Sequence, residues 1–194
     1  SALAGVAFAN AFLGINHSLS HKLGGWFHIP HGTANALLAP YVCKFNAQRH
    51  PYHMGTFSQY KYPQAFERYV ELGELIGVKG KNDEETFKNW IKALEQLKAD
   101  IDIPPTICDW LCEAHPEKSA EDWEKEFLAA VDQMSEWAFH DACTGANPVY
   151  PMIGELKQVY LRAFYGDDKF IEKYGDVLCL EINNPTDTHA AYPL

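Results

Sequence analysis

Residues 16–35 read NHSLSHKLGGWFHIPHGTAN and carry four of the nine histidines of the chain, set among glycines and one proline. His17 and His21 are four residues apart, so a helix would present both imidazoles on one face, one turn from each other. This spacing is a common arrangement for chelating a metal ion. Taken alone, it is more often a polar patch at the C-terminal end of a helix, where the helix dipole favours histidine.

A third imidazole, that of His31, is expected from the next helix. Pro30 stiffens the backbone before it and Gly32 allows close approach after it, so we expect His31 at a helix N-terminus. The positive end of the dipole there favours the neutral ring, which is the form that binds a metal. A turn at residues 24–25 would fold His31 back over the first two histidines. We therefore predict a convergence of three histidines, with no role for His28.

The neighbouring sequence offers these histidines no carboxylate, because neither Asp nor Glu occurs in residues 1–54. A catalytic divalent metal usually takes three or more protein ligands and keeps one position open. Imidazoles without a nearby thiolate suit Fe(II) and Zn(II) about equally. The sequence therefore predicts an iron or zinc site whose remaining ligands come from elsewhere.

The fold class follows from apolar residues that recur at three- and four-residue steps along nearly the whole chain, which predicts an all-α, multi-helix bundle. The first helix is apolar on most faces, so we expect it to be buried and to end at residues 24–25. Thr33 is expected to cap the second helix and Pro63 to begin the third. The organisation expected is a helical metal-binding domain over residues 1–166 and an irregular C-terminal tail over residues 167–194.

The charge and cysteine content limit the classes of partner and compartment. A formal net charge of −10 argues against general nucleic-acid binding and against docking on anionic membranes. The sequence has no transmembrane span and no convincing signal peptide. Five scattered cysteines form no disulfide framework, which favours a reducing cytoplasm. A chain that begins with Ser1 and enters an apolar helix at once is typical of a fragment, or of a processed terminus.

The block GINHSLSHKLGGWFHIPHGTANALLAPYV resembles the signature of iron-containing (group III) alcohol dehydrogenases. That signature runs Gly-x-x-His-x-x-x-His-x-x-Gly and then Pro-His-Gly. With AGVAFANAFLG before it and FSQY and CTGANPVYP after it, the chain is similar to the C-terminal alcohol dehydrogenase part of bifunctional aldehyde–alcohol dehydrogenases, over about residues 3–166. The resemblance covers only the helical half of such enzymes, a domain like that of dehydroquinate synthase, and implies an N-terminal dinucleotide-binding domain that is missing here.

The resemblance also assigns roles to single residues. It implies that His17 and His31 are metal ligands, that two further ligands (an aspartate and a histidine) lie upstream without a counterpart here, and that His21 acts near the substrate as a proton relay. It implies that Leu13 and Cys143 lie beside the nicotinamide. For Leu13 core packing is an equally good interpretation, and for Cys143 the alternative is a small buried residue in a turn.

One departure from the family pattern concerns the loop CTGANPVYP, where Val149 stands at a position that is commonly Arg in the family. An anion-binding or ion-pairing role of that arginine is therefore not expected in this chain. The remainder of the loop keeps the pattern.

The reaction implied by the resemblance is reversible hydride transfer between NADH and a short aldehyde, in the first place acetaldehyde to ethanol, with the metal as Lewis acid. Three hypotheses stay open. The chain is the metal-binding portion of such an enzyme and inactive alone; or it is an assembly module of a homo-oligomeric or filamentous enzyme; or it is an unrelated helical metal protein that recruits a distant carboxylate such as Asp141.

Overall fold

A computed structural model describes residues 2–51 and 64–175. Within these residues the chain forms nine α-helices and one 3₁₀ turn, which confirms the predicted all-α, multi-helix class. The elements are α1 (Ala2–Ala11), α2 (Ile15–Phe27), α3 (His31–Asn46), α4 (Ala65–Leu75), α5 (Asp83–Asp100), α6 (Ile107–Ala114), α7 (Ala120–Phe139), the 3₁₀ turn (Thr144–Ala146), α8 (Ile153–Tyr165) and α9 (Asp167–Tyr174).

Helix α2 lies at the centre of the main core, in contact with α3 on one side and α7 on the other, while α8 closes the layer against α3 and α7. Ile15, Leu19 and Leu23 recur every four residues along α2 and are fully buried in this core. The buried hydroxyl of Tyr160 on α8 donates a 2.7 Å hydrogen bond to the Leu19 carbonyl. This packing fixes the rotation of α2, and with it the direction of the face that carries the histidines.

A second, smaller core lies between α4 and α5, and α5 also contacts α3. Three helix starts, one in the second core and two in the main core, follow local capping chemistry. The side-chain oxygen of Asn82 accepts from the Glu85 N–H at the start of α5, and Thr106 and Ser119 cap α6 and α7 in the same way. The sequence predicts each of these caps from a Ser, Thr or Asn that precedes a helical pattern.

Helix α1 differs from its prediction, because none of its residues is buried and Leu3 and Val6 are 87% and 61% exposed. The chain breaks after Ala11 and bends by 103° before α2 begins at Ile15, so the expected single buried helix is two helices. Phe12, at the break, has a φ of 64°. The apolar pattern predicted the helix correctly, but the described residues provide no surface that covers it.

The turn between α2 and α3 also lies elsewhere than predicted. Residues 24–25 lie inside α2, which continues to Phe27, and the reversal occurs at His28 in the left-handed conformation with a φ of 55°. Helix α3 then begins at His31, with Pro30 rather than Thr33 at its N-cap. His31 therefore occupies the helix N-terminus that the sequence predicted, although Thr33 does not cap the helix.

The predicted irregular tail over residues 167–194 is wrong for its first part, because Asp167–Tyr174 form α9. Phe170 is buried in the main core and Asp167 pairs with Lys44 and Arg162, so contacts with α3 and α8 stabilise this helix. Residues 176–194 and the predicted start of the third helix at Pro63 lie outside the described residues.

Among the described residues, no single helix is long and apolar enough to cross a membrane. The pair α1 and α2 reaches the required length and hydropathy only when counted together, across its bend.

Candidate metal centre

Three histidines converge where the exposed face of α2 meets the N-terminus of α3. The ring centroids of His17 and His21 on α2 lie 5.0 and 5.3 Å from that of His31, and 6.3 Å from each other. Each ring offers one nitrogen, and these three nitrogens lie within 4.8 Å of one another. The predicted convergence is therefore present, although His28 and not residues 24–25 turns the chain back.

His17 and His31 face each other most closely, with Nδ1 of His17 3.1 Å from Nε2 of His31. Two ligand atoms of one ion, each about 2.1 Å from it, lie at about this separation. Burial lowers the pKa of His17, and the positive charges of a protonated His31 or His21 would lower it further. The His17 ring is therefore held in the neutral form that binds metals.

The residues around His31 determine which of its nitrogens carries the proton. The buried Ser20 hydroxyl donates to the His17 carbonyl at 3.0 Å and lies 3.3 Å from Nδ1 of His31. Because its proton is already used, Ser20 accepts from His31 Nδ1–H, which leaves Nε2 without a proton. The amide of Asn35 donates to this Nε2 at 2.9 Å, and Asn16 holds the Asn35 oxygen at 2.8 Å.

Ser20 and Asn35 were missed as functional residues by the sequence analysis. A signal was available for both, because Ser20 follows His17 by three residues and Asn35 follows His31 by four, which are same-face spacings on a helix. Partners of this kind orient metal ligands and set their tautomer.

His21 has a different partner. Its Nδ1 lies 3.0 Å from Oδ2 of Asp141, which also accepts from Lys22 at 2.7 Å, while Oδ1 accepts the backbone N–H of Cys143 at 3.0 Å. Burial raises the pKa of Asp141, but the hydrogen bonds from Lys22, the Cys143 backbone and His21 outweigh it and hold this pKa well below its usual range. Asp141 is therefore an ionised carboxylate with donors on both oxygens.

The two residues expected beside the nicotinamide lie in different places. Cys143 is buried next to the His21–Asp141 pair, and burial together with Asp141 raises the pKa of its thiol to about 11. Leu13 is half-buried in the break between α1 and α2. Cofactor binding by these two residues stays a prediction.

Val149, at the position where the family commonly has arginine, is buried in the main core. Its carbonyl accepts a 2.7 Å hydrogen bond from the buried side chain of Asn147. Asn147 in turn exchanges hydrogen bonds with Asn46 on α3 and accepts from the Ile15 N–H at the start of α2. The loop after α7 is thereby tied to the two helices that carry the histidines.

The donor chemistry of the His17–His31 pair fits a borderline ion such as Fe(II) or Zn(II). In the part of the chain that the structure describes, the possible ligand group around the pair contains His21 but no carboxylate. The family resemblance assigns the metal to His17 and His31 alone, and two imidazoles are fewer than the three ligands that a catalytic site usually needs. The residues present fit one half of a metal site.

Known proteins resemble this chain in sequence and in fold. Residues 1–164 match the C-terminal model of the Fe-containing alcohol dehydrogenase family. The chain is 48% identical over 168 residues to the bifunctional aldehyde-alcohol dehydrogenase of Escherichia coli (strain K12). The matched region covers 86% of this chain and 18% of that protein. It is 37% identical over 166 residues to an NADPH-dependent butanol dehydrogenase of Clostridium saccharobutylicum, covering 86% of the chain and 36% of the relative.

Solved structures show the same relationship. The structure of an iron-containing alcohol dehydrogenase from Thermococcus thioreducens superimposes with a TM-score of 0.63 at 32% identity, over 84% of this chain and 35% of the other. The chain thus spans between about a fifth and about a third of the length of these relatives.

Proposed function

The chain belongs to the Fe-containing alcohol dehydrogenase family, to its C-terminal part, and from this premise we propose that it is the metal-binding half of an NAD-dependent alcohol dehydrogenase. The proposed reaction interconverts a short aldehyde, in the first place acetaldehyde, and its alcohol. The observation that carries the proposal is the His17–His31 pair, whose facing nitrogens are 3.1 Å apart. The two further ligands and the NAD-binding domain are proposed to come from residues outside this chain, because its relatives are about two and a half to five times as long.

In the proposed mechanism His17 and His31 hold Fe(II), or Zn(II) in its place. When bound, the ion polarises the substrate carbonyl and the nicotinamide supplies the hydride. Ser20 keeps the proton of His31 on Nδ1, so that Nε2 faces the ion site. His21, which is 40% exposed beside this pair, exchanges a proton with the substrate oxygen. Leu13 and Cys143 are proposed to contact the nicotinamide.

The proposal extends to partners and compartment. The net charge of −10 supports a small-molecule substrate rather than a nucleic acid or an anionic membrane. Four cysteines among the described residues are free, which supports the cytoplasm. We also propose that the complete enzyme assembles as a homo-oligomer or filament.

An assembly module without activity of its own is a second candidate, and α1 favours it. Leu3, Val6, Phe8 and Phe12 expose apolar side chains along this end of the chain. Such a surface needs a covering partner in the complete protein. One result separates the two candidates. If the chain is only an assembly module, His31→Ala should leave the turnover of the complete enzyme unchanged.

The third hypothesis, an unrelated helical metal protein that recruits Asp141, is wrong in its unrelated origin, because residues 1–164 match the family. Its carboxylate does lie beside a histidine, since Oδ2 of Asp141 is 3.0 Å from Nδ1 of His21, but the same oxygen also accepts from Lys22 at 2.7 Å.

The test is a chimera in which this chain replaces the matching 168 residues of the Escherichia coli relative. We expect the chimera to oxidise NADH with acetaldehyde, as followed by NADH absorbance. His17→Ala and His31→Ala should each reduce this rate at least about a hundredfold, because a Lewis acid lowers the barrier by several kcal/mol. His28→Asn, the matched control at an exposed histidine of the same segment, should leave it unchanged, because asparagine tolerates the left-handed conformation of this residue. A folded chimera without alcohol dehydrogenase activity would overturn the proposal.

A further inference from the structure

We propose that Asp141 is the positioning residue of His21: its carboxylate keeps the imidazole proton on Nδ1 and thereby leaves Nε2 as the nitrogen that exchanges a proton with the substrate. The role of His21 in this inference rests on the proposed function, whereas the contact with Asp141 does not.

The first step of the argument is the direction of the hydrogen bond. Asp141 is an ionised carboxylate, which can only accept, so the Nδ1 that lies 3.0 Å from its Oδ2 must carry a proton. In a neutral imidazole the other nitrogen is then unprotonated. Among the described residues, Nε2 of His21 makes no hydrogen bond, and the side chain is 40% exposed. The free nitrogen is therefore accessible on the open side of the site.

The second step is the rigidity of the carboxylate. Asp141 follows the C-terminus of α7 and is only 12% exposed. Its backbone N–H donates to Ala138 at 3.1 Å and its carbonyl accepts from Thr144 at 3.0 Å. The buried Thr144 hydroxyl lies 2.6 Å from the Ala138 carbonyl and 2.7 Å from the Ser18 hydroxyl on α2. These contacts fix the position of Asp141 relative to α2. The distance and direction between its carboxylate and the His21 imidazole are fixed as a result.

The third step excludes a competing use of the same residues. His21, Asp141 and Cys143 offer three potential ligand atoms within 4.8 Å, which would suit a second metal ion. However, Lys22 places an ammonium group 2.7 Å from Oδ2, and the Cys143 N–H occupies Oδ1. A cation would have to displace both donors, and the buried Cys143 would have to lose its proton to become a ligand. The arrangement suits orientation of an imidazole better than coordination.

Lys22 has a separate effect on the pair. Its ammonium shares Oδ2 with His21, so it keeps the carboxylate charged without contacting the imidazole itself. Removal of Lys22 should therefore leave the His21 proton in place, whereas removal of the Asp141 carboxylate should release it. This difference separates positioning by one acceptor from a general effect of local charge.

The experiment measures the tautomer of His21 by long-range ¹H–¹⁵N correlation NMR on the ¹⁵N-histidine-labelled chain, without metal, cofactor or substrate. Wild type is expected to carry the proton on Nδ1. In Asp141→Ala the ratio of the Nδ1–H to the Nε2–H tautomer should fall about tenfold or more, the scale of one lost charge-assisted hydrogen bond. Lys22→Gln and the remote carboxylate variant Asp132→Asn should both keep the wild-type ratio, with circular dichroism verifying the helical content of each variant.

The wild-type measurement is a test by itself, because a His21 proton on Nε2 would overturn the inference. The inference therefore remains testable even if Asp141→Ala does not fold. A ratio that is unchanged in Asp141→Ala, or equally reduced in Lys22→Gln, also overturns it. In the chimera described above, Asp141→Ala should lower kcat with little change in KM, since it acts only through His21. An inactive chimera whose His21 keeps the Nδ1 proton would overturn the proposed function and leave the His21–Asp141 contact intact.

Discussion

Gly14 immediately precedes α2, and the substitution Gly14→Ala should disturb the helix that carries His17 and His21. A Cβ at this position would lie 2.6 Å from Oδ1 of Asn147, a separation that real Cβ atoms essentially never show. Asn147 is buried and cannot swing away without breaking hydrogen bonds. Its oxygen accepts from the Ile15 N–H (3.2 Å) and from Asn46 (3.3 Å), and its nitrogen donates to Asn46 (2.6 Å) and to Val149 (2.7 Å).

The expected loss of stability combines two contributions. Displacement of Asn147 would break the two hydrogen bonds on its oxygen, at about 1 kcal/mol each. Overpacking of a closed site adds about 1 kcal/mol or more. We therefore expect Gly14→Ala to lower the free energy of unfolding by about 2–4 kcal/mol. Gly25→Ala is the matched control, because its Cβ would meet nothing within 4 Å inside the same helix and should raise this free energy by about 0.5–1 kcal/mol.

The assay is urea unfolding of the chain followed by far-ultraviolet circular dichroism. In the double variant Gly14→Ala/Asn147→Ala the clash is absent, so this variant should be no less stable than Asn147→Ala alone. Neutral surface substitutions change the free energy of unfolding by up to about 0.5 kcal/mol. A Gly14→Ala protein within this range of wild type would refute the claim that the Asn147 side chain cannot move away from the new Cβ.

Three further predictions concern the core and the histidine site. Ser20→Ala should weaken Zn(II) binding about tenfold, as measured by calorimetry, because His31 loses the acceptor that sets its tautomer; an unchanged affinity would contradict this role. Tyr160→Phe should lower the free energy of unfolding by about 1 kcal/mol in urea, through loss of the hydrogen bond to the Leu19 carbonyl. The folded pKa of Asp141 lies below its ordinary value of 3.8, so its contribution to stability is complete above that pH and is lost as the pH falls below it. The stability difference between wild type and Asp141→Asn should therefore shrink as the pH falls below about 4, as measured by thermal unfolding between about pH 5 and pH 2.

The position of His31 could be predicted because the Pro-His-Gly segment has strong local backbone preferences. The turn before it could not. Residues 24–25 predicted a helix end, but a glycine inside a helix costs only about 1 kcal/mol, and burial of Leu23 and Phe27 in the core outweighs this cost. The reversal at His28 then follows from where the packed helix ends.

Other features were beyond sequence reasoning for a different reason. Periodicity identified α1 as apolar, but a pattern within one helix contains no information on which surface covers it. Asp141 could be named only as one candidate carboxylate, because it lies 120 residues from His21, and Asn147 lies 132 residues from Ile15. Contacts at such separations depend on how whole helices pack, so neither spacing nor propensity could place these side chains beside α2.

The central claim is that His17 and His31 form half of a metal site, and metal binding to the chain tests it most directly. Anaerobic calorimetric titration with Fe(II) and with Zn(II) should be performed on wild type, His31→Ala and the control His28→Asn. We expect one weakly bound ion per wild-type chain, the same binding in His28→Asn, and binding at least about tenfold weaker in His31→Ala. Binding that is indifferent to His31→Ala would contradict the assignment of the site.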